Sequence, residues 1–227
     1  MTNPARSAII RKTPAAATTV RPRPAGPRDL SQRAGPARTK SGGELLMKLM
    51  VASDIHGSAH YCKEMLAAFD RERADRLLLL GDLLYHGPRN DLPRGYAPKE
   101  VAAMLNERKT QLLCVRGNCD AEVDQMMLDF PILAEYGILY LGGRMVFATH
   151  GHHFHKDAMP PLQPGDILLH GHTHVPAWEP VGDGDLYLDP GSVSLPKQGS
   201  AHSYLLLTEQ SAVWKDLSGT PYHTIPL

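Results

Sequence analysis

Five short polar clusters, rich in aspartate, asparagine and histidine, contain the residues of this sequence best suited to chemistry. They are Asp54-Ile55-His56, Gly81-Asp82, Gly117-Asn118-Cys119-Asp120, His150-Gly151-His152 and Gly171-His172-Thr173-His174. A mixed set of oxygen and imidazole nitrogen ligands suits divalent first-row metals better than Ca²⁺ or Mg²⁺. The sequence has no cluster of thiolates, which argues against a structural zinc site. The clusters together therefore predict a catalytic type of metal centre.

Short apolar runs precede the clusters and predict the strands that position them. The runs lie at Met47 to Asp54, whose first half is apolar, and at Leu77 to Leu80, Leu112 to Val115, Met145 to Thr149 and Ile167 to Leu169. Strands buried on both faces have this composition. Ligands in open α/β sheets bind beyond the carboxyl ends of the strands. We therefore expect the five clusters to converge at one edge.

The segments between these runs predict helices, and the last part of the chain predicts strands. Ser58 is placed to cap a first helix, Pro98 begins a second over 99–109, and Ala121 to Leu128 is expected to form a short third. The first helix would bury one face formed by Cys62, Met65, Leu66 and Phe69. After Gly171 the pattern is one of strands and turns. This order predicts an α/β protein in which a mixed sheet faces a second sheet, with helices outside.

Residues 1–46 differ in composition from the rest of the chain. They contain nine Lys or Arg against two Asp or Glu, many Pro and Ala, and no periodic apolar face. Such a segment buries too little surface to offset its chain entropy, so we expect a disordered basic extension followed by one domain over 47–227. One hypothesis is that Met47 is the true start. A basic arm that binds nucleic acid is the alternative.

Composition excludes several classes of protein. The longest apolar runs are far shorter than the roughly 20 residues of a membrane-spanning helix, so no membrane partner is expected. The three cysteines, Cys62, Cys114 and Cys119, lack a paired spacing, which favours reduced thiols in the cytoplasm. Residues 47–227 contain 15 Lys or Arg against 22 Asp or Glu. This acidic balance disfavours specific binding of nucleic acid.

The five clusters, in this order, resemble those of the calcineurin-like metallophosphoesterases across Met47 to Leu217. The similarity is closer to a bacterial phosphodiesterase branch of the family. It rests there on Ser53 to Ser58, His86 to Asn90, Arg116 to Asp120 and Pro190 to Ser194. The resemblance implies a four-layer αββα sandwich with two facing mixed β-sheets, which agrees with the alternation of elements described above.

The resemblance also implies a ligand set and a reaction. A first metal ion would be bound by Asp54, His56 and His174, a second by Asn118, His150 and His172, and Asp82 would bridge the two. We expect Mn²⁺ in both positions, with Ni²⁺, Zn²⁺, Fe²⁺ and Co²⁺ as alternatives. Two such ions lower the pKa of a bridging water and stabilise an in-line displacement at phosphorus. The expected activity is hydrolysis of a small phosphodiester by a metal-bridging hydroxide.

Four further residues receive expected roles. Asp120 is expected to orient a neighbouring histidine or water. Cys119 occupies the position at which many family members carry a histidine that protonates the leaving group. We expect Cys119 either to act as a weak general acid or only to fill space beside the metal ions. Arg89 and Asn90, in the loop after Asp82, are candidates for binding substrate, with exposure to solvent as the alternative.

Two alternatives to the phosphodiesterase function stay open. The first is a phosphomonoesterase or nucleotide pyrophosphatase with the same site. The second is a scaffold without catalysis, because a protein of this fold serves as the small subunit of the retromer coat. A scaffold has no need of all seven ligands, and none is missing here. A homo-oligomer is also left open.

Overall fold

The computed structural model describes residues 47–182 and 184–227. The predicted disorder of residues 1–46 and the hypothesis that Met47 is the start concern residues outside these ranges. No helix within the described ranges has the length and apolar character needed to cross a membrane.

The described residues form eleven strands and three helices. In chain order these are β1 Leu49–Ala52, α1 Ala59–Glu72, β2 Arg76–Leu79, α2 Pro98–Glu107, β3 Leu112–Cys114, α3 Glu122–Gln125, β4 Tyr136–Leu141, β5 Arg144–Thr149, β6 Ile167–Leu169, β7 Ala177–Val181, β8 Asp185–Asp189, β9 Ser203–Leu207, β10 Ser211–Asp216 and β11 Pro221–Pro226. The predicted elements occur within a few residues of their expected positions. Strand β11 was not predicted, because it is a half-exposed edge strand with proline at both ends.

The strands form two mixed sheets, as predicted. The six-stranded sheet has the order β11-β10-β9-β1-β2-β3, and the five-stranded sheet has the order β4-β5-β6-β8-β7. Strands β1, β2 and β3 are parallel in the first sheet, and β5, β6 and β8 are parallel in the second. The carboxyl ends of these parallel strands are the points from which the polar clusters emerge. The predicted α/β sandwich with two facing mixed sheets is confirmed.

Side chains that alternate along the central strand β1 pack into two different parts of the core. Met50 and Ala52 of β1 pack in a cluster with residues of α1 and α2, whereas Leu49 and Val51 pack in a second cluster with residues of the other sheet. Both faces of β1 are thus buried, which explains its uninterrupted apolar sequence. Trp214 of β10 is fully buried in the second cluster, and its indole Nε1 donates to the Asp189 carbonyl of β8 at 2.8 Å.

Helix α1 begins and packs as the sequence predicts. The Ser58 hydroxyl accepts a hydrogen bond from the Tyr61 amide at 3.2 Å, the arrangement of an N-cap. The four apolar residues predicted for its inner face are buried. On the outer face of the five-stranded sheet, the apolar residues Phe147, Leu168 and Tyr187 are covered by Phe154 and Leu162 of the segment after β5.

Glu72, the last residue of α1, forms an ion pair and a hydrogen bond with side chains of the six-stranded sheet, and these contacts lead to a prediction about stability. The Glu72 carboxylate accepts from Lys215 Nζ at 2.8 and 3.0 Å and from the Tyr204 hydroxyl at 2.7 Å. Partial burial opposes ionisation of Glu72, but these hydrogen bonds outweigh it and hold the pKa below its usual value of 4.5. Replacing Glu72 with glutamine should lower the free energy of unfolding at pH 7 by about 1 kcal/mol.

The lowered pKa of Glu72 also predicts how the stability changes with pH. A carboxylate with a lowered pKa in the folded state stabilises the fold above its unfolded pKa, and the contribution disappears as pH falls through the folded value. Urea unfolding should therefore show a difference between wild type and Glu72→Gln at pH 7 that shrinks below about pH 4. Glu107→Gln, at an exposed position on α2, serves as the control. A difference that stays constant down to pH 3 would contradict the assignment.

Candidate metal centre

The seven predicted ligands emerge from the carboxyl ends of five strands in two sheets. In the six-stranded sheet, β1 leads to Asp54 and His56, β2 to Asp82 and β3 to Asn118. In the five-stranded sheet, β5 leads to His150, and β6 leads to His172 and His174. The contacts described below join residues as far as 118 positions apart in the chain. The predicted convergence of the clusters is therefore found in the structure.

Asp54, His56 and His174 form a first group of donors. The Asp54 Oδ1 atom lies 3.5 Å from His56 Nε2 and 3.3 Å from His174 Nε2. The two Nε2 atoms are 3.3 Å apart. All three side chains are buried. Three donor atoms of this group thus face one point.

Asn118, His150 and His172 form a second group, and Asp82 lies between the two. His150 Nε2 is 3.0 Å from Asn118 Oδ1 and 3.1 Å from His172 Nδ1. Asp82 Oδ2 is 3.5 Å from His150 Nε2 and 3.7 Å from His56 Nε2 of the first group. A single carboxylate oxygen is therefore shared by both groups.

Hydrogen bonds to backbone carbonyls fix the tautomers of three of the histidines. In His56, His150 and His174, Nδ1 contacts a carbonyl oxygen, which can only accept, so Nδ1 must carry the proton. The acceptors are the carbonyls of Tyr85 at 2.8 Å, Leu80 at 2.7 Å and Leu195 at 2.6 Å, respectively. In the neutral rings, the lone pair is then on Nε2, which in each case points into the donor groups.

These lone pairs need a positive charge between them. Asp54 Oδ1 is buried and has no hydrogen-bond partner among the described residues, although two Nε2 atoms lie beside it. Burial favours neutral His150, but the carboxylates of Asp82 and Asp54 and the Leu80 carbonyl outweigh burial and raise the pKa of His150 to about 9. Acceptors that face one another are unfavourable unless a proton or a metal cation joins them. The donor set therefore fits divalent cations.

The backbone around the ligands adopts an uncommon conformation. Five of the seven have a positive φ, namely Asp54 at 60°, His56 at 48°, Asp82 at 55°, His172 at 69° and His174 at 62°. Residues other than glycine rarely adopt this region, and such strain concentrates at functional sites. The ends of β2 and β3 also approach closely, because a Cβ atom at Gly117 would collide with the backbone and carboxylate of Asp82. Gly117 is therefore needed for packing beside the shared carboxylate.

Asp120 contacts backbone amides and no histidine among the described residues. The sequence suggested a histidine or water, but its carboxylate accepts from the backbone amides of Asp82 and Gly117, both at 2.8 Å, and of Leu83 at 2.9 Å. Burial raises the pKa of Asp120 to about 6, partly offset by these amides. The amides after β2 and β3 point inward, and a buried carboxylate can accept from all three. Asp120 thus positions the backbone that carries Asp82.

A cavity of about 400 Å³ opens onto the donor groups. It is lined by His56, Asp82, Gly87, Pro88, Arg89, Asn90, Asn118, Cys119, His172, Thr173, His174 and Lys197. Arg89 and Asn90, the predicted substrate-binding residues, therefore lie at the cavity. The Asn90 side-chain amide donates to the His86 carbonyl at 2.8 Å, so this residue also holds its own loop.

Cys119 lies at the cavity wall beside both Asp82 and Asn118. Its backbone amide donates to Asp82 Oδ1 at 2.7 Å, and its sulfur is 3.3 Å from Asn118 Nδ2. Burial and the nearby carboxylate of Asp82 raise the pKa of the thiol far above its ordinary range. The side chain is therefore a neutral thiol next to the donor groups.

Lys197 is the cavity residue of greatest chemical interest that the sequence analysis missed. It lies 23 positions after His174, and the contact that brings it to the site is a backbone hydrogen bond from its amide to the His174 carbonyl at 3.0 Å. No spacing rule links a lysine to a distant histidine in this way. The sequence offers only one hint, which is that Lys197 lies three positions after Ser194, the last residue of the segment Pro190 to Ser194. This hint is too weak to have identified it.

Comparison with known proteins agrees with this geometry. A family profile described as the calcineurin-like phosphoesterase superfamily domain matches residues 47–212. The phosphodiesterase YfcE of Escherichia coli (strain K12) is 49% identical over 162 residues, which is 71% of this chain and 88% of YfcE. A solved structure of YfcE, described as a phosphoesterase, superposes with a TM-score of 0.76 at 44% identity and covers 79% of this chain and 98% of that chain. Vps29 of Entamoeba histolytica, in a single-mutant form, shares the fold at a TM-score of 0.52 and 19% identity, covering 80% of this chain and 99% of its own. The chain therefore belongs to the calcineurin-like phosphoesterase superfamily.

Proposed function

We propose that this protein is a phosphodiesterase that uses two divalent metal ions to hydrolyse small phosphodiesters. The observation that carries the proposal is the pair of donor groups joined by one oxygen of Asp82. One group would hold the first ion through Asp54, His56 and His174. The other would hold the second ion through the donor atoms of Asn118, His150 and His172. A site for a single tetrahedral ion would need only four of these seven ligands.

The chemistry of such a site agrees with phosphate ester hydrolysis. When bound, two divalent ions lower the pKa of a water held between them and offset the charge on the phosphate oxygens. We propose Mn²⁺ as the ion, with Ni²⁺, Zn²⁺, Fe²⁺ and Co²⁺ as alternatives, because imidazole and carboxylate together suit these metals. The role of the chain is to orient the ligands, and the three fixed tautomers do this before any ion arrives.

The residues around the donor groups would bind and orient the ester. Arg89, on the loop after β2, has a guanidinium suited to phosphate oxygens. Asn90 would contact the substrate through its second side-chain N–H, because only one of the two amide protons donates to the His86 carbonyl. Cys119 would face the ester and supply little protonation to the leaving group, since a neutral thiol of raised pKa gives up its proton poorly. This arrangement favours esters with good leaving groups.

Three further properties belong to the proposal. The cavity of about 400 Å³ suits a small substrate. The acidic balance of residues 47–227 disfavours a polynucleotide. We also propose that these residues form a single catalytic domain that acts in the cytoplasm, where the described cysteines would remain free thiols. YfcE, at 49% identity, carries the name phosphodiesterase, which supports the choice of a diester.

The test is hydrolysis by metal-stripped protein reloaded with single ions. Bis(p-nitrophenyl) phosphate and p-nitrophenyl phosphate would be compared after reloading with Mn²⁺, Ni²⁺, Zn²⁺ or Mg²⁺. We expect turnover of the diester to exceed that of the monoester, with Mn²⁺ among the activating ions and little activity in the metal-free protein. Turnover of neither ester with any ion would instead support a scaffold without catalysis.

A further inference from the structure

Lys197 lies in a turn that is held firmly against the first donor group. Its amide donates to the His174 carbonyl at 3.0 Å, and its own carbonyl accepts from the Ser200 amide at 3.0 Å and the Ser200 hydroxyl at 2.7 Å. The next residue, Gln198, has a φ of 54°, which makes the chain turn sharply. The turn therefore presents Lys197 at the cavity wall beside His174.

The ammonium group of Lys197 has no anionic partner among the described residues. Arg89 is the other cation that lines the cavity, and it also lacks one within the same ranges. Of the thirteen other basic side chains that the structure describes in residues 47–227, five pair with carboxylates, namely Arg108, Lys109, Arg116, Lys156 and Lys215. It is therefore the shared position at the cavity that sets Lys197 and Arg89 apart. In an acidic domain, two unpaired cations at one polar cavity indicate a site for anions.

The two cations that line the cavity come from different segments of the chain. Arg89 is on the loop that contains Gly87, and a Cβ at Gly87 would lie 3.2 Å from the Cys119 sulfur. Lys197 is instead bonded to His174, in the first donor group. The phosphate of a diester carries one negative charge, which Arg89 and the metal ions suffice to balance. Lys197 is therefore available for a second anionic group.

A neighbouring cavity leaves room for the part of the substrate that carries such a group. This second cavity has a volume of about 380 Å³ and begins at residues adjacent in sequence to those of the first. Val175 follows His174, and Gln198 follows Lys197; both line the second cavity. The exposed residues Trp178 and Tyr222 also line it, as does Asp216, whose Oδ1 accepts from the Ser218 hydroxyl at 2.6 Å and the Thr220 amide at 2.9 Å. An ester arm that passes Lys197 would thus enter open space.

We propose that Lys197 binds a second phosphate carried by one ester arm, so that the preferred substrates are phosphodiesters with an additional phosphate. This inference rests on the proposed function of the site. A lysine suits this role, since its ammonium is a compact point charge with three donors on a flexible stem. Lys197 is accordingly a substrate-binding residue that determines specificity.

Two substrates that differ only in a second phosphate test the proposal. They are thymidine 5′-(p-nitrophenyl phosphate) and the same compound with a 3′-phosphate; both release p-nitrophenol. For Mn²⁺-loaded wild type, we expect kcat/KM to be about tenfold higher for the 3′-phosphorylated substrate, equivalent to about 1.4 kcal/mol. In Lys197→Ala this ratio should fall to about one, mainly through a higher KM for the 3′-phosphorylated substrate. Lys197→Arg should retain most of the preference.

Lys63→Ala provides the control for a change in net charge. Lys63 is exposed on α1 and does not line the cavity. Its replacement should leave the ratio at the wild-type value. A wild-type ratio near one, or an equal loss on both substrates in Lys197→Ala, would overturn the role of Lys197 while leaving the phosphodiesterase intact. No turnover of either substrate by wild type would overturn the proposed function, and with it this inference.

Discussion

Replacement of Asp82 with asparagine should lower kcat for bis(p-nitrophenyl) phosphate by at least about a thousandfold. Asp82 Oδ2 lies between His56 Nε2 and His150 Nε2, at 3.7 and 3.5 Å, so a single oxygen is close to both donor groups. An amide is neutral and binds a cation far more weakly than a carboxylate does. Because metal ions contribute several kcal/mol to catalysis and each 1.36 kcal/mol is tenfold in rate, a loss of about 4 kcal/mol is expected.

The measurement combines kcat with the metal content of the purified variant. Asp82→Asn should bind fewer ions than wild type and should retain the same far-UV circular dichroism spectrum. Asp129→Asn removes the same charge from an exposed side chain that pairs with Lys109, and it should behave as wild type. Full metal content with kcat within tenfold of wild type would contradict a bridging role for Asp82.

Replacement of Cys119 with histidine should speed hydrolysis of esters with poor leaving groups by about 10- to 100-fold. Cys119 lines the cavity beside Asp82, but its thiol pKa is raised by burial and by that carboxylate, so it protonates a leaving oxygen poorly. An imidazole titrates near neutral pH, and a positioned general acid contributes about 10² to 10⁴ in rate. The replacement should help most where protonation of the leaving oxygen limits the rate.

The appropriate assay is a series of aryl phosphodiesters whose phenol leaving groups differ in pKa. A plot of log kcat against leaving-group pKa should be steep for wild type and shallower for Cys119→His, with little difference for p-nitrophenol. Cys119→Ser is the matched control, since a hydroxyl does not titrate in this range, and its plot should stay steep. If Cys119→His slows all esters equally, Cys119 only fills space at this position.

Much of the candidate site was predictable because its residues share a pattern that is visible in the local sequence. Each ligand follows an apolar run, and parallel strands in both sheets bring those runs to one place, so Asp54 and His150 converge although they lie far apart in the chain. Composition of the strands alone predicted β6 with its observed bounds. The same reasoning predicted α1 from the position of Ser58 and the apolar face of the helix.

The remaining features depend on contacts between segments distant in sequence, which no local pattern contains. The positive φ of His174, 62°, could not be predicted from its residue type, because only a small fraction of residues other than glycine adopt this region. Lys197 reaches the cavity through the backbone of His174. Asp120 was expected to orient a neighbouring histidine or water, and its carboxylate accepts from the inward-facing amides after β2 and β3, contacts that no local pattern predicts.

The number of metal ions bound per chain tests the central claim most directly. Metal-stripped protein would be loaded with Mn²⁺, dialysed, and analysed for manganese by plasma mass spectrometry against protein concentration. Two groups of three ligands sharing Asp82 predict about two ions per chain, and about one or fewer in Asp82→Asn. A wild-type value of one or zero with every first-row divalent ion would contradict a two-metal site.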